Sequence, residues 1–320
     1  MSTPARRALA ASTVAAAAAA VLRPDVLSLD RGWLGACVAA WRPHAMVGLG
    51  GLGTALAVTP RTRGYAVALG TAAAVAGVPS VAARLRRRAN APQGADDLIV
   101  LAANVLVGRA DTGALGTLLE RERPDLVALA EAGGDYRDKL MPLVAGLGYR
   151  AWSSVPSGVS DGAGVVLLAA ERMGDLEVAS GPEMRGRYLR ATGGILGRRS
   201  FLAVHPEAPI GRRRTAAWRA DLAHVARWCA EAPTPIVAGD FNATSDHTLF
   251  RATLGACRNA ADGTGRALAG TFPASLPRVL GIQIDHVLVP RMVRTVDFRL
   301  VELPGSDHRG VLTRVTLPTA

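Results

Sequence analysis

Two patterns of apolar and polar positions divide the 320-residue chain near residue 95. Beyond it, short apolar runs alternate with amphipathic stretches, and many of the runs end abruptly in a polar side chain. Runs at 98–105, 125–130, 164–170, 187–192, 199–204, 235–239, 282–289, 296–302 and 310–316 predict strands, since a strand buried on both faces is apolar throughout. Helices are predicted at 111–121, with Asp111 as N-cap, and at 133–146, 212–231 and 246–254. In 212–231, Trp218, Leu222, Val225 and Trp228 recur at near-helical spacing, which makes them a core stripe and not a stacking platform for bases. Strands interleaved with helices predict an α/β sandwich of two sheets over residues 96–320.

The first 95 residues follow another rule. Residues 8–22 carry no charge and follow Arg6 and Arg7, which fits a membrane span or the apolar part of a signal peptide. Residues 33–58 are apolar except at Arg42-Pro43-His44, giving a short interfacial piece and a span at 45–59, and residues 64–83 are again uncharged. Trp33, Trp41 and Tyr65 suit interface anchors, so three transmembrane helices are expected. Gly48-Leu49-Gly50-Gly51-Leu52-Gly53 has the form of a dinucleotide fingerprint, but no strand precedes it, and close helix packing explains its small residues. The basic run 84–88 and the polar stretch 89–95 read as a juxtamembrane cluster that faces lipid headgroups and a linker. Residues 1–95 are therefore expected to form an anchor and linker, and residues 96–320 a separate α/β domain.

Charge narrows the partner. The net charge of +11 suggests nucleic acid, but residues 1–95 hold 11 Arg against 2 Asp, leaving +2 for the remainder. A near-neutral domain offers no broad footprint for a phosphate backbone. Arg212-Arg213-Arg214 opens a helix and reads as a solvated face, with a phosphate-facing role as the alternative. Cys37, Cys229 and Cys257 match neither a disulfide framework nor a zinc spacing, though Cys229 and Cys257 could pair in an exported domain.

The candidate chemistry sits where the apolar runs stop. Asn104 follows the first strand, Glu131 the second, His205 the strand 199–204, and Asp240 and Asn242 the strand 235–239. Asp285 lies in the run 282–289, and Asp307-His308 precedes the last strand. His224, His247 and His286 share the residue type without the position and read as structural or solvent-facing.

In that order, Asn104-Val105, Glu131, His205-x-x-x-Pro209, Gly239-Asp240-Phe241-Asn242, Ile284-Asp285-His286-Val287 and Ser306-Asp307-His308 resemble the endonuclease/exonuclease/phosphatase superfamily, the deoxyribonuclease-I-like hydrolases. The resemblance implies hydrolysis of a phosphoric ester with Mg²⁺, or Mn²⁺ in its place, on hard oxygen ligands from Glu131, Asn104 and Asp307. It implies that Asp240 orients and deprotonates the attacking water, that Asn242 and His205 hold phosphate oxygens, and that Asp285 orients His308. Ala130 stands where the family commonly has Gln, and Ala102-Ala103 where Thr-Tyr is common, which leaves substrate recognition open.

The layout of three spans before this domain resembles VanJ-type glycopeptide-resistance membrane proteins. That implies an integral membrane protein with its catalytic domain outside the cell, although the positive-inside tendency points the other way. A tether of about 14 residues, at most about 50 Å long, would hold the domain at the bilayer. A membrane lipid partner and a lipid-linked phosphorylated substrate follow as expectations, specifically a lipid phosphate or pyrophosphate such as undecaprenyl pyrophosphate. The alternative is a metal-dependent nuclease acting on DNA or RNA. No protein partner is inferred.

Overall fold

The computed structural model describes residues 3–26, 28–87, 94 and 97–316. Two six-stranded sheets face each other. The first runs β11 (Arg294–Val301), β12 (Gly310–Thr316), β1 (Asp97–Asn104), β2 (Leu126–Ala130), β4 (Val165–Ala170), β3 (Tyr149–Ser153). The second runs β5 (Leu176–Ala179), β6 (Arg187–Gly193), β7 (Ser200–His205), β8 (Ile236–Asp240), β10 (Asp285–Pro290), β9 (Cys257–Asn259). Parallel pairing is confined to β1·β2 and β7·β8, the central strands that read as unbroken apolar runs. The sandwich expected for 96–320 is the observed fold.

Three layers of core follow from strand alternation. Leu98, Val100 and Ala102 of β1 face Phe201, Ala203 and Ala238 between the sheets, while Leu101 and Ala103 point outward to α5 (Thr112–Glu122) and α6 (Gly134–Val144). On the outside of the second sheet, α7 (Gly211–Cys229) lays Trp218, Leu222, Val225 and Trp228 against Leu202, Val204 and Val237. Asp111 caps α5 as expected, its carboxylate accepting from the Ala114 backbone N–H at 2.8 Å. Strands β3, β5 and β9 were not predicted. The first two lie at sheet edges and are only partly buried, and β9 is an edge strand of three residues, so none writes an apolar run.

The amino-terminal segment corrects the sequence expectation. It forms α1 (Thr3–Leu22), α2 (Trp33–Ala40), α3 (Arg42–Ala57) and α4 (Arg63–Leu85), and among the described residues no helix is long and apolar enough to cross a membrane. The expected integral-membrane placement, with its outward-facing domain, is thereby overturned. At 1.5 Å per residue, α2 and α3 reach only about 12 and 24 Å against a hydrocarbon core of about 30 Å. In α1 and α4 the apolar content is mostly Ala, which reads as hydrophobic in sequence but buries little surface per residue. The expected linker at 89–95 lies, apart from Gly94, outside the described residues.

These helices pack on one another and on the sandwich. Gly53 alone among the glycines of the 48–53 run meets another helix, its missing Cβ leaving 3.2 Å to the Ala66 carbonyl of α4. Arg42, read as a break between spans, is buried and lies 3.7 Å from Asp246 and 3.6 Å from Asp25, and Arg84 reaches Asp246 at 2.7 Å. His247 completes the contact by bonding the Ala36 carbonyl at 2.9 Å. Cys229 and Cys257 are free buried thiols, with the Cys229 thiol pushed up by its hydrogen bond with Cys257 and by burial.

Candidate active site

All eight side chains proposed from the sequence meet at one end of the sandwich. The topology requires it: β1 and β2 are parallel and deliver Asn104 and Glu131 to that end, and the parallel pair β7 and β8 delivers His205 and Asp240 from the opposite sheet. Antiparallel β10 starts where β8 stops, with Asp285 paired to Asp240, and Asp307 and His308 lie in the turn before β12. Gly239 lets β8 close on β7. Its φ is +150°, and a Cβ there would stand 1.9 Å from the Val204 carbonyl.

Asn104 ties the two sheets together. Its Nδ2 donates to Glu131 Oε1 at 3.1 Å and to Asp240 Oδ2 at 3.0 Å, while its Oδ1 accepts from the Leu106 N–H at 2.8 Å. The other Glu131 oxygen accepts from the Val107 N–H at 2.9 Å. That backbone reaches the carboxylate through a turn in which Leu106 and Val107 both have positive φ, as do Glu131 and Asn242. A β-branched residue at positive φ is costly, and such strain is tolerated where surrounding contacts impose it, most often at functional sites.

Asp240 lies between two imidazoles. Its Oδ2 is 3.9 Å from Nε2 of His205 and 3.9 Å from Nε2 of His308, and its Oδ1 accepts from the Asn242 N–H at 2.8 Å. The Asn242 side chain donates to the Pro206 carbonyl at 3.1 Å, which fixes the chain beyond His205. His308 Nδ1 donates to Asp285 Oδ2 at 2.8 Å, and His308 Nε2 is also 3.9 Å from Asp307. Burial alone would lower the His308 pKa, but Asp285 foremost, then Asp240 and Asp307, drive it up to about 10. Burial pushes the Asp285 carboxyl up, and the neighbouring His308 charge pulls it back. The carboxylates around His308, Asp285 foremost, thus favour its protonated form. The buried His286 has a pKa pushed down to about 4 by burial and bonds Asn259 and the Ala243 carbonyl, so it is structural.

Two places could take a cation. Ligand-type atoms of Asp240, Asp285 and His308 lie within 4.8 Å of one another, with His308 Nδ1 hydrogen-bonded to Asp285. Of the ligands the resemblance implies, Glu131 lies beside Asn104, whose Oδ1 is taken by the Leu106 N–H while its Nδ2 faces Glu131 Oε1. Asp307 Oδ1 is buried without a hydrogen-bond partner among the described residues, an acceptor that a hard cation would satisfy.

Beside this network opens a cleft of about 610 Å³ whose lining includes Glu131, His205 and Asn242. Arg185, Arg187, Glu207 and Arg214 complete its charged wall. Of these four, the sequence offers only Arg214 as a phosphate-facing candidate. Arginine is so abundant in this chain that the others carry no signal, and the pairing that brings Arg187 beside His205 is visible only in the fold.

Residues 101–308 match the Endonuclease/Exonuclease/phosphatase family, about two thirds of the chain. The chain belongs to this family. Solved structures share the endonuclease/exonuclease/phosphatase fold at low identity. An endonuclease/exonuclease/phosphatase from Beutenbergia cavernae is 19% identical, covers 70% of this chain and 72% of its own, and superposes with a TM-score of 0.54. Humanized D. rerio TDP2 is 19% identical over 70% of this chain and all of its own, with a TM-score of 0.54. The Bacteroides thetaiotaomicron mannosyl-6-phosphatase Bt3783 is 14% identical over 69% and all of its own, with a TM-score of 0.50. No curated protein matches the chain in sequence. At these identities the solved structures establish the fold, and the family match establishes membership in a phosphoesterase and nuclease group.

Proposed function

We propose that this protein is a divalent-metal-dependent hydrolase of phosphoric esters, with Mg²⁺ as the ion and Mn²⁺ as its substitute. The observation that carries this is the buried chain Asp285–His308–Asp240, in which an imidazole bonded to one carboxylate stands 3.9 Å from a second. Glu131, Asn104 and Asp307 would hold the ion, which when bound neutralises charge on the phosphoryl oxygens. Asp240 accepts the proton of an attacking water as its oxygen forms the new P–O bond. The ester P–O bond breaks, and the leaving oxygen takes a proton from solvent water to give an alcohol and a phosphate. His308, His205 and Asn242 donate to phosphoryl oxygens, where negative charge rests in the transition state.

The lipid-linked pyrophosphate expected from the sequence drew on a membrane tether. Without a spanning helix, tether length no longer selects a lipid, and the proposed substrate class is the phosphoric ester itself. The nuclease alternative differs in cleaving a diester. Purified protein should release phosphate from some monoester only with Mg²⁺ or Mn²⁺, and Glu131→Ala or His308→Ala should each abolish release. Retained turnover in both variants, or turnover unaffected by a chelator, contradicts the proposal. Cleavage of plasmid or single-stranded DNA without monoester turnover selects the nuclease.

A further inference from the structure

The cleft beside the catalytic network holds more positive charge than one scissile phosphate uses. That phosphate has His205, Asn242, His308 and the ion as partners. Arg214 places both Nε and Nη2 on Glu207 Oε1, at 2.9 and 2.6 Å, and Arg185 Nε lies 3.5 Å from Glu207 Oε2. One carboxylate thus occupies two guanidinium groups. Arg187 has no carboxylate or hydrogen-bond partner among the described residues and lines the same cleft.

Its position is fixed by the fold. Arg187 pairs with His205 across β6 and β7, so the two side chains leave the same face of the sheet as neighbours. The turn that presents it is tied down by the buried Asp221 of α7, whose Oδ1 accepts from the Arg185 N–H at 2.8 Å. The Asp221 Oδ2 accepts from the N–H groups of Gly186 at 2.9 Å and Glu207 at 3.0 Å. Gly186 is required there, because a Cβ would stand 2.0 Å from the His205 carbonyl. The three backbone donors satisfy the buried Asp221 carboxylate and hold rigid the turn from which the exposed Arg187 reaches the cleft.

Resting on the hydrolase proposed above, we infer that Arg187 binds a second phosphate of the substrate, adjacent to the one hydrolysed. The substrate class is an ester with two neighbouring phosphates, whether an organic diphosphate or consecutive phosphates of an oligonucleotide.

Binding separates this inference from turnover. Isothermal titration of the full chain in metal-free buffer with inorganic pyrophosphate and with inorganic phosphate should show pyrophosphate bound more tightly. Arg187→Ala should remove roughly 10- to 100-fold of that preference, the range for one charge-assisted contact, and Arg187→Lys should restore part of it. In turnover with Mg²⁺, Arg187→Ala should lower kcat/KM for methyl diphosphate over the same range and leave methyl phosphate within roughly threefold. A 5′-phosphorylated thymidine dinucleotide in place of methyl diphosphate identifies the source: selective loss there assigns the second phosphate to a nucleic-acid strand. Equal losses on one- and two-phosphate ligands, or no loss on either, overturn the inference. If no ester is turned over while the pyrophosphate preference depends on Arg187, the hydrolase proposal fails and the subsite stands.

Discussion

Replacing Asp285 with Asn tests the charge pair at the centre of the site while keeping its shape. In the native protein the Asp285 carboxylate accepts from His308 Nδ1 at 2.8 Å, and the two are buried. The interval between an ordinary imidazole pKa of 6.5 and about 10 amounts to roughly 5 kcal/mol of preference for the imidazolium. Because the folded value lies above the unfolded one, this stabilisation is fully present below about pH 6.5 and is lost as pH rises through about 10. Burial of Asp285 offsets part of it, and removing one partner of a buried pair costs about 3–5 kcal/mol. If that loss falls on the transition state, kcat drops roughly 10²- to 10⁴-fold with little change in KM. The amide introduced by Asp285→Asn still accepts a hydrogen bond, so the ring stays in place but its proton is released at lower pH. Imidazole NMR of metal-free protein between pH 5 and 11 reads this directly, alongside kcat on a phosphomonoester. An imidazolium at position 308 that persists to pH 9 in Asp285→Asn, or an unchanged kcat, refutes the assignment of Asp285 as the group that holds the proton.

Glu131→Gln can keep the hydrogen bond from Val107 or the one from Asn104 but not both, and it removes one negative charge from the site, so Mg²⁺ affinity measured by titration should fall at least about tenfold. Gly239→Ala should lower Tm and deplete folded protein, since the Cβ collides with the Val204 carbonyl and φ is +150°; a change of less than about 1 kcal/mol in denaturant unfolding contradicts the packing. Asp246→Asn should cost about 3–5 kcal/mol by leaving Arg84 without a carboxylate and the buried Arg42 with Asp25 alone, and Asp246→Asn with Arg42→Met should recover some of it.

What the sequence made legible follows from burial. Asn104, Glu131, His205 and Asp240 close apolar runs because β1, β2, β7 and β8 are central strands covered on both faces, and a run that stops marks the end where a site can form. Edge strands β3 and β5 left no such mark. The Ala- and Gly-rich helices misled because apolar composition does not distinguish lipid contact from helix packing, and the deciding contacts, Arg42 and Arg84 with Asp246, join residues far apart in the chain. Arg187 became a site residue only through its register with His205, and the strained turn at Leu106 and Val107 is announced only by the Gly108 that follows.

The central claim is that water ordered by Asp240 attacks phosphorus. Single-turnover hydrolysis of a phosphomonoester with Mg²⁺ in ¹⁸O-enriched water measures it, with the label followed by mass spectrometry. One ¹⁸O is expected in the released phosphate and none in the alcohol, with Asp240→Asn reducing the rate by roughly 10²-fold or more. Label in the alcohol, or an undiminished rate in Asp240→Asn, contradicts it.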